Sequence, residues 1–230
     1  MSLAPMPRRY ATGLAYDSPA MGIERARVVE VHSKSSATAR LCSGYLIADN
    51  LVLTAGACES AEVRPASTAV WCSASRVWSA ASGDVAILEI DDASAAMAPP
   101  GALRWGQVSG CRPLAVTALG FPPASVKPEW FRDADQFFGH LLPEGGATAD
   151  ESLPVEASAI SRVAGDGLNG AALFAGADLV GVLVADAGTE QLRARPVAAL
   201  AADPSFVERV SRTGRLDLIR VSSPAFGPIF

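Results

Sequence analysis

Two histidines, His32 and His140, and two lysines, Lys34 and Lys127, are all that a chain of 230 residues holds of either type. The four cysteines, Cys42, Cys58, Cys72 and Cys111, form no C-x-x-C pair. So few nitrogen and sulfur ligands argue against a zinc site. The acidic run "DDAS" reads as a solvated turn, not a hard-cation site, so no metal and no cofactor is expected. Positive charge is also scarce: Lys and Arg total 19 against 24 Asp and Glu, the formal net charge is -5, and no basic cluster stands out. That balance excludes nucleic acid as a partner, because phosphate binding needs a basic surface. No apolar run approaches the ~18 residues of a membrane span. The basic pair in "MSLAPMPRRYATGL" is followed by no apolar stretch, so no secretory leader is read. A cytoplasmic location with buried thiols is the expectation.

What is present is a large apolar fraction, 50% of residues, enough for one large all-β domain or two small barrels. Short β-branched or alternating runs recur: "RARVVEVHS" (25–33), "SGYLIAD" (43–49), "LVLTAG" (51–56), "SRVWSA" (75–80) and "DVAILEI" (84–90). "PLAVTALGF" (113–121), "LPVEAS" (153–158), "AALFAG" (171–176) and "LVGVLVAD" (179–186) continue the series. Pro and Gly punctuate the gaps in "APPG", "FPPAS" and "PEGG". This spacing predicts a sandwich or a barrel pair, not a βαβ array. "APPG" divides the strands into two similar sets. One late helix is predicted near 204–212, with Asp203 as cap, Pro204 just inside, and Phe206, Val207 and Val210 on one face.

Three segments, taken in order, resemble the chymotrypsin/trypsin-like serine peptidases over roughly residues 25 to 212. "CSGYLIADNLVLTAGAC" (42–58) is similar to the segment that carries the catalytic histidine, "GDVAILEI" (83–90) to the strand that carries the aspartate, and "GDGLNGAALF" (165–174) to the nucleophile turn. "RWGQVSGCRPLAVTALGFP" and "ARPVAALAADPSFVERV" resemble, more narrowly, actinobacterial cytosolic trypsin-like domains, which are often joined to signalling or conflict-system modules. The resemblance implies two antiparallel β-barrels with a C-terminal helix. An N-terminal arm (1–24) would precede barrels at 25–106 and 107–200, then a helix at 201–213 and a tail at 214–230. It also implies that Cys42 and Cys58 lie across neighbouring strands as a disulfide candidate.

The departures from that pattern carry the information. Ala57 stands at the histidine position and Asn169 at the serine position, while Asp84 keeps the aspartate. A serine hydroxyl needs an imidazole to take its proton, and the aspartate to orient that imidazole. Ala57 has no proton acceptor, and the Asn169 amide is neither basic nor a useful nucleophile. Gly167 and Asn169 retain the backbone N–H groups of an oxyanion hole, but no nucleophile remains for them to serve. Leu168 replaces an acidic residue that receives a new N-terminus in activatable relatives, so that route of activation is not expected. His32, His140, Ser43 and Ser161 lie in no matching catalytic motif.

The chain is therefore read as a catalytically inactive peptidase homologue that binds protein or peptide. "LVGVLVAD" matches the strand lining the cleft, so Leu179, Val180, Gly181 and Val182 are candidate peptide contacts, with Gly181 permitting close backbone approach. Val163 holds the pocket position, which implies a preference for small or apolar side chains. Asp84 is expected to be at least partly buried, its carboxylate satisfied by N–H groups near Gly56 and Ala57. Two other readings are an endopeptidase inactivated by substitution and a purely structural module of a larger signalling protein. Loss of both base and nucleophile, with Asn instead of Ala at the latter, favours natural degeneration.

Overall fold

The computed structural model describes residues 22–33, 41–56, 60–91, 101–122, 132–143, 152–157, 165–185, 191–212 and 215–223. Among the described residues, fourteen strands, three short α-helices and one 3-10 turn (Arg25–Arg27) account for the regular structure. Strands β1 (Val28–Ser33), β2 (Leu41–Leu46), β3 (Leu51–Ala55), β4 (Ser60–Pro65), β5 (Cys72–Ser79) and β6 (Val85–Ile90) close into an antiparallel barrel in the order β1-β2-β3-β6-β5-β4. The second sheet contains β7 (Trp105–Val108), β8 (Leu114–Gly120), β9 (Asp135–Leu141), β10 (Leu153–Ala157), β11 (Ala172–Ala175), β12 (Asp178–Ala185), β13 (Leu192–Pro196) and β14 (Leu218–Val221). Six of these, β11-β8-β9-β10-β13-β12, form a second antiparallel barrel closed by the β11–β12 pairing. The expected all-β double barrel with a C-terminal helix is the fold observed.

Burial follows position in the barrels. β8 and β9 alternate buried with more exposed residues, as strands with one wet face do. β3 and β11 are buried along their whole length. One apolar cluster (Val29, Val31, Leu46, Val52, Val63, Leu88) fills the first barrel, and another (Val116, Phe137, Leu141, Leu173, Leu183) fills the second. A third joins the two barrels and the C-terminal helix, through Tyr45, Trp78, Trp105, Phe174 and Phe206. Its aromatic pairs are tilted or edge-on, with Tyr45–Phe174 centroids 5.2 Å apart, Trp78–Phe206 4.9 Å and Trp105–Phe206 6.2 Å, geometries that the ring quadrupoles favour.

The predicted helix is α3 (Pro204–Ser211), following a short α2 (Val197–Ala201). The Asp203 side chain accepts from Ser205 N at 2.8 Å, Pro204 lies in the first turn, and Phe206 and Val210 are buried. Several strands went unread in the sequence. β4, β9 and β13 contain charges, prolines or glycine that mask their alternation, and His140 is an exposed residue of β9.

Two strands lie across or beyond the expected boundaries. The limit at residue 106 cuts β7, which belongs wholly to the second sheet, and the expected tail contains β14, which pairs in parallel with β7 from Leu218↔Trp105 to Val221↔Val108. Backbone pairing at a sheet edge, invisible to local pattern, decides both.

Buried charges stitch the barrels together. Glu30, fully buried on β1, accepts from Arg64 Nη2 at 2.5 Å and from Arg132 Nε at 2.6 Å. Arg132 also donates to the Phe121 carbonyl, and Arg64 donates to the Arg132 carbonyl at 2.9 Å. His32 Nε2 lies 3.1 Å from the same carboxylate, and its ring packs on Trp71 with centroids 4.3 Å apart. Burial alone would raise the Glu30 pKa, but the hydrogen bonds from His32, Arg132 and Arg64 outweigh it and bring it down to about 2.

Candidate functional site

Asp84 precedes β6, one residue beyond a glycine at φ +73°, and its main chain packs against the end of β3. Gly56 N–H donates to the Asp84 carbonyl at 2.8 Å. A Cβ on Gly56 would lie 2.0 Å from the Gly83 carbonyl, so only glycine permits this approach.

The Asp84 carboxylate is held from the other barrel and not by Gly56 N–H, which goes to the Asp84 carbonyl; Ala57 lies outside the described residues. Arg195 on β13 of the other barrel donates to Asp84 Oδ2 from Nε at 2.9 Å and from Nη2 at 2.6 Å. Ser82 Oγ lies 2.5 Å from Oδ1. The Arg195 side chain is 6% exposed and that of Asp84 24%, so the pair sits at the mouth of the inter-barrel seam. The physical reason for the difference is charge: a guanidinium that is nearly buried needs an anion within reach more than a partly exposed carboxylate needs neutral amides. Sequence reasoning missed Arg195 because nothing in "RARP" marks which strand it will face.

Asn169 is half-buried and follows the one-turn helix α1 (Gly165–Leu168). Its carbonyl accepts from Ser43 N at 2.8 Å. Gly167 lies inside α1, and its carbonyl accepts from Ser43 Oγ at 2.6 Å. Ser43, fully buried on β2, also receives the Phe121 N–H at 2.9 Å, so its hydroxyl is a clamp between the barrels with no solvent access. Gly170 has φ +87°, and a Cβ there would stand 2.3 Å from the Ser43 carbonyl. Leu168 is buried in the core of the second barrel. Asp84, Asn169 and Gly167 thus all border the seam between barrels. Ala57, Cys58, Val163 and Ser161 lie outside the described residues, and with Cys58 goes the proposed partner of the buried Cys42.

The strand expected to receive a peptide has no open edge where it was expected. Gly181 pairs with Leu173 of β11 on one side and Pro196 of β13 on the other, and Val182 with Ala172 and Arg195. Leu179 N–H donates to the Arg104 carbonyl at 2.9 Å, and Leu179, Val180 and Val182 are fully buried. Gly181 does admit a close backbone, but it is the chain's own: a Cβ would stand 3.0 Å from the Arg195 carbonyl. β11 ends its pairing at Ala172↔Val182, while β13 continues opposite Val184 and Ala185.

No family model and no curated protein matches the chain. Solved structures do. A serine endoprotease from Yersinia pestis is similar with a TM-score of 0.57 and 21% identity, over 82% of this chain and 64% of that one. This chain therefore spans less than two thirds of that protease's length. The Rv3671c protease of M. tuberculosis in its active form is similar with a TM-score of 0.58 and 15% identity, over 85% of this chain and 84% of the other. The same protease in an inactive form gives 0.56 and 17%, over 79% and 88%. At these identities the likeness is one of fold: the trypsin-like double barrel of bacterial serine endopeptidases. Among the described residues no helix is long and apolar enough to cross a membrane.

Proposed function

We propose that this chain keeps the scaffold of a trypsin-like peptidase without its chemistry and works by engaging a protein or peptide. The pairing of Asp84 with Arg195 is the observation that carries the reading. In a working triad this carboxylate orients an imidazole and stabilises the imidazolium. Here Oδ2 is taken by a guanidinium, which accepts no proton, and Oδ1 by Ser82. Ala57 and Asn169 remove the base and the nucleophile. The helical turn through Gly167 adds support, because N–H groups of a helix run parallel to its axis, whereas an oxyanion hole needs two that converge on one point. An enzyme inactivated only at its base and nucleophile would keep its aspartate available, so the Arg195 pairing favours natural loss.

A bound extended segment would pair beyond the stretch that β11 and β13 occupy. The edge of Val184 and Ala185 on the β11 side, next to Gly170, takes the place of the Leu179–Val182 stretch as the docking strand. A serine-directed fluorophosphonate probe tests the chemistry, and no labelling is expected. Labelling that disappears on heat denaturation would overturn the reading. Absence of both labelling and peptide binding would leave the purely structural role.

A further inference from the structure

A recess of about 610 Å³ opens between the turn joining β5 to β6 and the corner joining α2 to α3. Trp78 and Leu200, 9% and 2% exposed, supply apolar lining together with Ala80 and Ala199. Arg195 and Asp203 are the charged residues that line it.

Arg195 spends Nε and Nη2 on Asp84, and Nη1 makes no hydrogen bond among the described residues. Yet no buried side-chain nitrogen or oxygen among those residues lacks a partner, so Nη1 is reached by solvent, and the recess is the space this 5%-exposed residue lines. Asp203 Oδ1 accepts from Ser205 N and Oγ at 2.8 and 2.7 Å. The Trp78 indole N–H donates to Ser205 Oγ at 2.9 Å and reaches Asp203 Oδ2 only at a longer 3.2 Å, so Oδ2 keeps capacity for a second donor. The Ser205 hydroxyl and amide hold the Asp203 carboxyl below the usual range, so it is ionised at neutral pH. Arg195 neutralises Asp84, which leaves Asp203 as the uncompensated charge among the described lining residues. An anionic ligand is thereby disfavoured, and a cation that also offers an acceptor is favoured.

We propose that this recess binds a small amide-bearing ammonium compound of the kind found at the amino end of a peptide. Its ammonium pairs with Asp203, its carbonyl accepts from Arg195 Nη1, and its apolar side chain rests on Trp78 and Leu200. The volume falls within the roughly 300–1,000 Å³ of small-ligand sites. The proposal is independent of whether the chain cleaves or binds peptides at the seam.

Titration of the intact protein with leucinamide, N-acetylleucinamide and leucine, followed through the indole N–H resonance of Trp78, tests it. That resonance is assigned with Trp78→Phe. Leucinamide is expected to saturate, and the other two, lacking the ammonium or adding a carboxylate, to bind at least about tenfold more weakly. Asp203→Asn keeps a good helix cap and removes the charge, so it should abolish the preference for leucinamide over its acetylated form. Equal binding of those two to the unaltered protein, or no saturable shift with leucinamide, overturns the proposal without recourse to any variant.

Discussion

Arg195 and Asp84 meet across the two barrels, 111 residues apart in sequence and 2.6 Å apart between Nη2 and Oδ2. The contact joins β13 of one barrel to the residue that precedes β6 in the other. The guanidinium is the more deeply buried partner, so the pair is asymmetric: removing the carboxylate strands a buried cation, whereas removing the arginine releases an anion that water can reach.

Asp84→Asn should therefore cost more stability than Arg195→Met. We expect about 2–4 kcal/mol for the former, because breaking a largely buried pair leaves an uncompensated charge. The latter should cost about half of that. Urea unfolding measures both, and equal or reversed losses would refute the asymmetry.

Introducing a base at residue 57 and a nucleophile at residue 169 should not by itself create reactivity. The Ala57→His, Asn169→Ser double variant supplies base and nucleophile, but Asp84 remains bound to Arg195 and cannot orient the new imidazole. Fluorophosphonate labelling is expected to stay at background until Arg195 is also replaced by a small residue. Strong labelling of the double variant would show that Arg195 yields readily to histidine.

Glu30 makes stability depend on pH in a defined acid window. Its folded pKa is about 2 against 4.5 for the unfolded chain. A depressed carboxylate contributes stability that is fully present above the unfolded value and is lost as pH falls through the folded one. Stability should thus decline between pH 4.5 and pH 2, and Glu30→Gln should flatten that part of the profile. The same variant leaves Arg64 and Arg132 buried without their anion, and should cost about 3–5 kcal/mol at neutral pH. Thermal unfolding of both proteins across the window gives the comparison.

Two glycines with left-handed backbones should respond differently to alanine. Gly176 (φ +60°) has nothing within 4 Å of a built Cβ, whereas Gly170 (φ +87°) would place one 2.3 Å from the Ser43 carbonyl and 2.6 Å from Ala55 N. Gly176→Ala should cost about 1 kcal/mol, the backbone penalty alone. Gly170→Ala should cost several times more, since main chain of β2 and β3 stands in the way of the added carbon. Similar midpoints in a denaturant titration would contradict the contact.

The sequence by itself determined the strand series, the order of the three motif segments and the helix capped by Asp203. Each rests on local rules: alternation of apolar residues, turn residues between strands, and a side chain two residues from the amide it caps. Residue type alone also decides that Ala57 offers no proton acceptor and Asn169 no hydroxyl. Tertiary structure decided the partners of the charges. Glu30 meets Arg132 from 102 residues away, and "VVEVHS" reads only as an apolar strand with a polar interruption. β4 and β13 were hidden because Arg64 and Arg195 break their alternation, and each arginine is tolerated inside only because a carboxylate far from it in sequence, Glu30 or Asp84, meets it. β12, apolar after Asp178 and carrying a glycine, reads equally as a cleft edge or an interior strand; the neighbours on its two sides make it interior up to Leu183. Local pattern sets which segments extend and which faces are apolar, but the edges that remain open and the charges that find each other depend on barrel closure and on the seam between barrels, which no window of sequence contains.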